Sequence, residues 1–198
     1  MTESDPWAEL RSAKYAPLLA LMCLGIWLNA ADTLVTVTIM PSVARDIGGY
    51  EWFGWTVAAY LVGSIVASAS AARLAGDFGI RRMTVLFGLV YAAGCALGAV
   101  APLMPLFVAG RFVQGIGAGA IVALCYIAIP SNFPERVWPA VFGAISAIWG
   151  IATLLGPLLG GLFASGQMWR LLFWLFAAQA LIFAGLIRWF AAADGTVN

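Results

Sequence analysis

No histidine occurs among the 198 residues, and charge of either sign is scarce: ten Lys and Arg stand against nine Asp and Glu, together 10% of the chain. A soluble globular domain carries about a quarter charged residues. This scarcity, with 63% hydrophobic residues, excludes that class and points to an integral membrane protein. Without histidine, any proton-coupled chemistry falls to carboxylates. The net charge of +1 gives no reason to expect nucleic acid as a partner. Cysteine is sparse too. Cys23, Cys95 and Cys125 lie far apart in apolar runs with no Cys-x-x-Cys, and read as buried small hydrophobes rather than metal ligands or a disulfide framework. A nucleophile–base set, a metal cluster and a phosphate loop between strand and helix are all missing, so neither an enzyme nor a cofactor is expected.

What the chain has in quantity is long apolar runs. A spanning helix takes about 20 residues, so the length accommodates about six with short loops. The predicted fold class is an all-α membrane protein: a polar segment over 1–16, a six-helix transmembrane bundle over 17–192, and a polar tail over 193–198. The first apolar run is too long for a signal peptide. Spans are expected over about 17–40, 52–74, 83–100, 106–129, 137–164 and 169–192. Pro41 is expected to end the first, with Arg45, Asp46, Gly48, Gly49 and Glu51 in the loop after it. Gly76 to Arg82 reads as a short charged turn. Ser64, Ser68 and Ala71, at four- and three-residue spacing, form a close-packing face on the second span, and Gly94 and Gly98 lie four apart on the third. Seven basic residues, Arg11, Lys14, Arg73, Arg81, Arg82, Arg136 and Arg188, fall on the side of the amino terminus, against Arg45 and Arg170 on the other. By the positive-inside rule both termini are cytoplasmic.

The remaining cation is the unusual one. Arg111 lies within Gly110-Arg111-Phe112-Val113-Gln114-Gly115-Ile116-Gly117-Ala118-Gly119-Ala120, inside a run apolar enough to span. An arginine at mid-membrane costs roughly 2.5–3.5 kcal/mol on insertion scales, so Arg111 should face protein or a water-filled cavity and have an acceptor. Asp32 is the first candidate. The two residues sit on antiparallel spans, and at about 1.5 Å rise per residue their depths differ by only a few ångströms. Such a carboxylate can change protonation as access alternates, which is what proton coupling requires, or it can form a static pair that fixes helix packing. Asn29, three residues earlier near the same face, can bond a substrate or another helix. Gln114, Gly115, Gly117 and Gly119 leave a nearly bare face for a neighbouring backbone.

The Arg111 stretch resembles the Arg-x-x-Gln-Gly-x-Gly motif in the fourth helix of major facilitator superfamily transporters. Asp32 with Pro41 nine residues on is similar to the first-helix Asp pattern of that superfamily's drug:proton antiporters, in which the Asp is implicated in proton coupling, although Leu34 and Val37 replace its usual Thr and Asn. Trp55 to Leu61 resembles the start of the second helix. Leu74 to Arg82 resembles the loop motif between helices two and three, which implies a conformational latch in Gly76, Asp77, Gly79, Arg81 and Arg82. Gly76 stands here where that motif has Asp, with Asp77 one place later. Gly156-Pro157-Leu158-Leu159-Gly160-Gly161 resembles the fifth-helix antiporter motif, with Ala152 in place of an earlier Gly. Proline kinks such a helix and glycines admit a partner. Trp169-Arg170-x-x-Phe173 resembles the opening of the sixth helix, with Phe176 and Ala178 where Asn and Pro are often found.

The resemblance covers the first six helices of a family that normally has twelve or fourteen. It implies a secondary transporter of the bacterial plasma membrane that exports a hydrophobic or amphipathic small molecule in exchange for protons, by alternating access between two bundles. Asp32 and Arg111 would couple protons; Asn29, Gln114, Trp27, Tyr126 and Trp149, together with Phe112, would contact substrate. Uptake and lipid translocation stay open within transport. A homodimer about a twofold axis normal to the membrane is expected, with Gly156 and Pro157 packing on the partner's second helix. A heterodimer with another six-helix half, a half cut from a longer chain, and a non-transporting membrane adaptor are the alternatives.

Overall fold

The computed structural model describes residues 6–165 and 168–193, so Glu3, Asp5 and tail residues 194–198 lie outside the described residues. The chain follows its apolar runs. In a bilayer every backbone N–H and C=O must find an internal partner, and a helix supplies them all. A short helix, α1 (Pro6–Leu10), precedes six long ones: α2 (Ala16–Ile47), α3 (Phe53–Phe78), α4 (Ile80–Val100), α5 (Met104–Asn132), α6 (Trp138–Ser165) and α7 (Trp169–Ala193). All six are long and apolar enough to cross a membrane.

The breaks between helices differ from those expected. Pro41 does not end the first span: it lies inside α2, on an exposed face, and the helix runs on to Ile47, taking in Arg45 and Asp46. Pro130 likewise lies within α5. A proline costs one backbone bond and a local bend, and continuing the helix keeps the others. The actual stop after α2 is the pair Gly48 and Gly49, at φ 71° and 80°, a conformation cheap only for glycine. The charged turn over 76–82 also shrinks. Gly76, Asp77 and Phe78 complete α3, Arg81 and Arg82 open α4, and Gly79 alone, at φ 87°, makes the break. Part of the polar amino-terminal segment is ordered on the bundle: Leu10 is buried, and Glu9 accepts from Arg136 Nε at 2.9 Å and Nη2 at 2.5 Å, tying α1 to the start of α6. The Arg136 guanidinium holds the Glu9 carboxyl below its ordinary pKa.

Small residues set the packing. α3 lies against α5, α4 against α5 and α7, and α2 against α6, while α3 and α6 share no seam. α2 and α5 therefore meet between α3 and α6, and α4 with α7 closes the back. A Cβ on Gly115 would collide with the Tyr60 carbonyl, and one on Gly94 with the Gln114 backbone, so these glycines bring α3 and α4 onto α5. The Ser64, Ser68 and Ala71 face packs as expected: Ser68 Oγ donates to the Gly119 carbonyl at 2.9 Å, and Ala71 is buried. At the far end, Phe107, Trp169 and Phe173 meet edge to face. Arg170 donates to the Ala99 and Ala101 carbonyls at 3.0 and 2.9 Å and reaches Asp46 at 3.2 Å.

Candidate functional site

Asp32 and Thr36 lie one turn apart on α2; Arg111 and Gln114, three apart, share one face of α5. All four are buried, Asp32 at 0% exposure and Arg111 at 2%. Arg111 Nη1 donates to Asp32 Oδ2 at 2.8 Å and Oδ1 at 3.0 Å. The same Oδ1 accepts from Gln114 Nε2 at 2.9 Å and from Thr36 Oγ1 at 3.1 Å. Arg111 Nη1 also reaches Gln114 Oε1 at 2.6 Å, and Gln114 Nε2 lies 3.1 Å from Cys95 Sγ on α4. The carboxylate thus takes three donor groups, Arg111 on both oxygens and Gln114 and Thr36 on Oδ1, which is the condition for keeping a buried charge pair.

Tyr60 of α3 covers this cluster. The Arg111 guanidinium carbon sits 4.2 Å from its ring centroid, a cation–π contact, and the Tyr60 hydroxyl donates to Asn29 Oδ1 at 3.0 Å. Asn29 is thereby tied to the cluster through the ring that caps the arginine. Tyr91, one turn from Cys95, donates to the Leu28 carbonyl at 3.2 Å. Among the described residues, Arg111 Nε has no hydrogen-bond partner. Chemically, the arrangement holds one carboxylate that a single proton would neutralise. Its loss of charge would free both the guanidinium and the Gln114 amide from their common acceptor.

Four of the expected site residues, Asp32, Arg111, Gln114 and Asn29, come together. Among the described residues, Trp27, Tyr126 and Trp149 join the cluster by no hydrogen bond or ring contact. Trp27 is half-buried against the core, Tyr126 is 40% exposed and stacks on Phe142 at 6.2 Å, and Trp149 is 37% exposed. Thr36, Tyr60 and Cys95 were not legible as site residues. Thr36 carried a usable signal, four residues after an intramembrane Asp on a helix; for Cys95 the sequence offers none. The motif residues divide between inside and outside. Gly115 is buried against Tyr60, while Gly76 has open space around it and Asp77 lies 3.9 Å from Arg73 on an exposed turn. In the fifth-helix motif, Gly156 and Gly160 pack inward on Leu34 and Thr38 of α2, and Pro157 and Gly161 face outward. Gly156 therefore serves its own bundle, contrary to the expectation that it meets a partner's helix, because its missing Cβ is what admits Leu34.

Residues 22–197 match the family model described as Major Facilitator Superfamily. The chain is 36% identical over 183 residues to a protein of Mycobacterium tuberculosis named as a probable multidrug-efflux transporter, covering 92% of this chain and 38% of that one. It is 31% identical over 169 residues to multidrug resistance protein 3 of Bacillus subtilis, covering 85% and 32%. A solved proton:xylose symporter superposes with a TM-score of 0.79 at 19% identity, over 89% of this chain and 44% of that one. The chain spans less than half the length of these relatives.

Proposed function

The chain belongs to the major facilitator superfamily, and on that premise we propose that it is one six-helix half of a proton-coupled exporter of hydrophobic or amphipathic small molecules. The single observation that carries this reading is the closed cluster of Asp32, Arg111, Gln114 and Thr36, set where α2 and α5 meet between two helices that share no seam. A second six-helix bundle across α3 and α6 would complete a central cavity with this cluster on its wall. A twofold copy of the same chain satisfies that geometry and would bring two Asp32 residues to it. The excess of basic residues on the side of the bundle that holds the amino terminus supports cytoplasmic termini, and the mycobacterial and Bacillus relatives support a bacterial plasma membrane.

In this mechanism Asp32 is the proton site and Arg111 its charge partner. With the cluster closed and Asp32 fully buried, the carboxylate is sealed from bulk water. Opening toward one side admits water and a proton; neutral Asp32 releases Arg111 and Gln114, which then reorganise toward the cavity. Re-forming the pair expels the proton on the other side. Tyr60 and Asn29 move with the arginine they cover, so substrate in the cavity and charge at Asp32 share one set of contacts.

Asp32→Asn in proteoliposomes tests the reading. Gradient-driven export of a lipophilic dye is expected to be lost, while binding of the dye to the purified assembly persists. Export with unchanged dependence on the proton gradient would remove Asp32 from the coupling role and leave the pair a packing device. Native mass spectrometry of the gently extracted protein is expected to give a dimer of identical chains; a monomer, or a complex with a different six-helix chain, would remove the homodimer.

A further inference from the structure

The back of the bundle carries an amphipathic trough apart from the Asp32 cluster. Where α4 begins and α7 ends, Arg81, Arg82 and Arg188 line the mouth of an open groove of about 320 Å3. Val85, Leu86, Leu89 and Ile187 form its floor, so the charges sit at the end of the bundle and the aliphatic wall lies one to two turns deeper. Arg82 and Arg188 are exposed and make no ion pair or side-chain hydrogen bond among the described residues. Arg81 and Ile187 also line an inner cavity of about 500 Å3 between α2, α4, α5 and α7, which has Lys14 at its rim. Among the described residues, neither lining contains a carboxylate. Trp189, beside Arg188, is 64% exposed, and an indole projecting there marks the depth of a membrane–water interface.

We propose that this trough is a binding site for an anionic phospholipid, with the head-group phosphate on Arg82 and Arg188 and an acyl chain along Val85, Leu86 and Leu89. Guanidinium groups match phosphate oxygens in pairs. Basic pockets between helices at a membrane surface select anionic head groups, because a choline ammonium would meet the same two cations. The occupant is lipid rather than another helix because the exposed residues flanking the seam are large. Leu97, Trp174, Leu175 and Ile182 are side chains suited to acyl chains, and they outnumber the small residues exposed beside them, Ala93, Ala178 and Gly185. The proposal is independent of what the protein transports.

The test is native mass spectrometry of the purified assembly in mild detergent, titrated with dioleoyl phosphatidylglycerol or with dioleoyl phosphatidylcholine. Retention of the anionic lipid is expected to exceed that of the zwitterionic one by roughly tenfold or more. The double variant Arg82→Gln, Arg188→Gln should abolish most of that preference. Leu86→Trp, which fills the trough and leaves every charge in place, should lower anionic-lipid retention several-fold. Far-ultraviolet circular dichroism and size-exclusion profiles matching the parent protein qualify each variant, and Leu89→Trp stands in if Leu86→Trp does not fold. Equal retention of the two lipids overturns the proposal, including the case in which chain beyond α7 covers the trough. Loss of preference in the arginine variant with no effect of either tryptophan also overturns it, since diffuse surface charge would then suffice.

Discussion

The two sides of the bundle bury little of their outer surface, yet they are made of different residues. On α6 the exposed positions mix Gly143, Ala147, Gly150, Pro157 and Gly161 with Leu154, Leu158 and Leu162, and a Cβ at Gly150 or Gly161 would meet nothing within 4 Å. On α4 and α7 large residues, Leu86, Leu89, Leu97, Trp174, Leu175 and Ile182 among them, outnumber the small Ala93, Ala178 and Gly185. Against lipid tails a glycine face gains little, because lipid is as apolar as leucine and close approach of backbones is what small residues offer. The α6 face is therefore suited to another helix and the α4–α7 face to acyl chains. The interior already uses the first device: Gly115 and Gly94 draw α3 and α4 onto α5, and Gly156 and Gly160 draw α6 onto α2.

The largest effect is expected where the α3–α6 side reaches its floor. Arg111→Gln leaves Asp32 buried without its cation and should cost about 3–5 kcal/mol, read as a large fall in thermal unfolding temperature in detergent. The double variant with Asp32→Asn should recover most of that stability without recovering export. If Arg111→Gln alone is neutral, the cluster is not a paired charge and no longer sets this side apart from the back. Next comes a pair of glycines. Gly115→Val forces a side chain into the Tyr60 backbone and should destabilise by at least the roughly 1–3 kcal/mol of ordinary overpacking. Gly150→Val should leave folded yield unchanged and weaken assembly. Equal loss of folded protein from both would mean that the α6 face is not open. Ser68→Ala removes the bond to the Gly119 carbonyl and should cost about 1 kcal/mol in the same unfolding measurement.

The smallest effect concerns the end of the chain outside the membrane. Because the folded-state pKa of Glu9 is depressed by Arg136, the tie between α1 and α6 is fully present above the ordinary carboxylate range. It is lost as pH falls through the lowered value. Trp7 lies 3.5 Å from where a Cβ on Gly143 would stand, so its fluorescence should change only in that acid window, and the change should vanish in Glu9→Gln. A change centred near neutral pH would assign it to another group.

How much was legible can be traced through particular residues. Asp32 and Arg111 could be matched by depth, since the rise per residue is nearly constant in a membrane helix and an intramembrane cation must find an acceptor. Tyr60 and Cys95 could not be placed, because which face of α3 or α4 turns toward Arg111 depends on helix rotation. Pro41 misled for the converse reason. Its local preference against helix is outweighed by the bilayer's demand that every other backbone group stay bonded, and the positive-φ pair Gly48 and Gly49 ends the helix instead. The aromatic residues Trp27, Tyr126 and Trp149 were chosen by type, and type does not fix direction.

Composition and run length by themselves determined that the chain is six membrane helices, because apolar segments of spanning length have no other stable form in lipid. The spacing of Arg111, Gln114 and the glycines determined that one helix is both charged and bare. Only the packed structure decided that Asp32 Oδ1 collects Arg111, Gln114 and Thr36 at once. It also decided that the fifth-helix motif splits, with Gly156 and Gly160 facing inward and Pro157 and Gly161 outward. Both outcomes rest on the relative rotation and approach of helices, which are set by where neighbouring glycines let backbones touch.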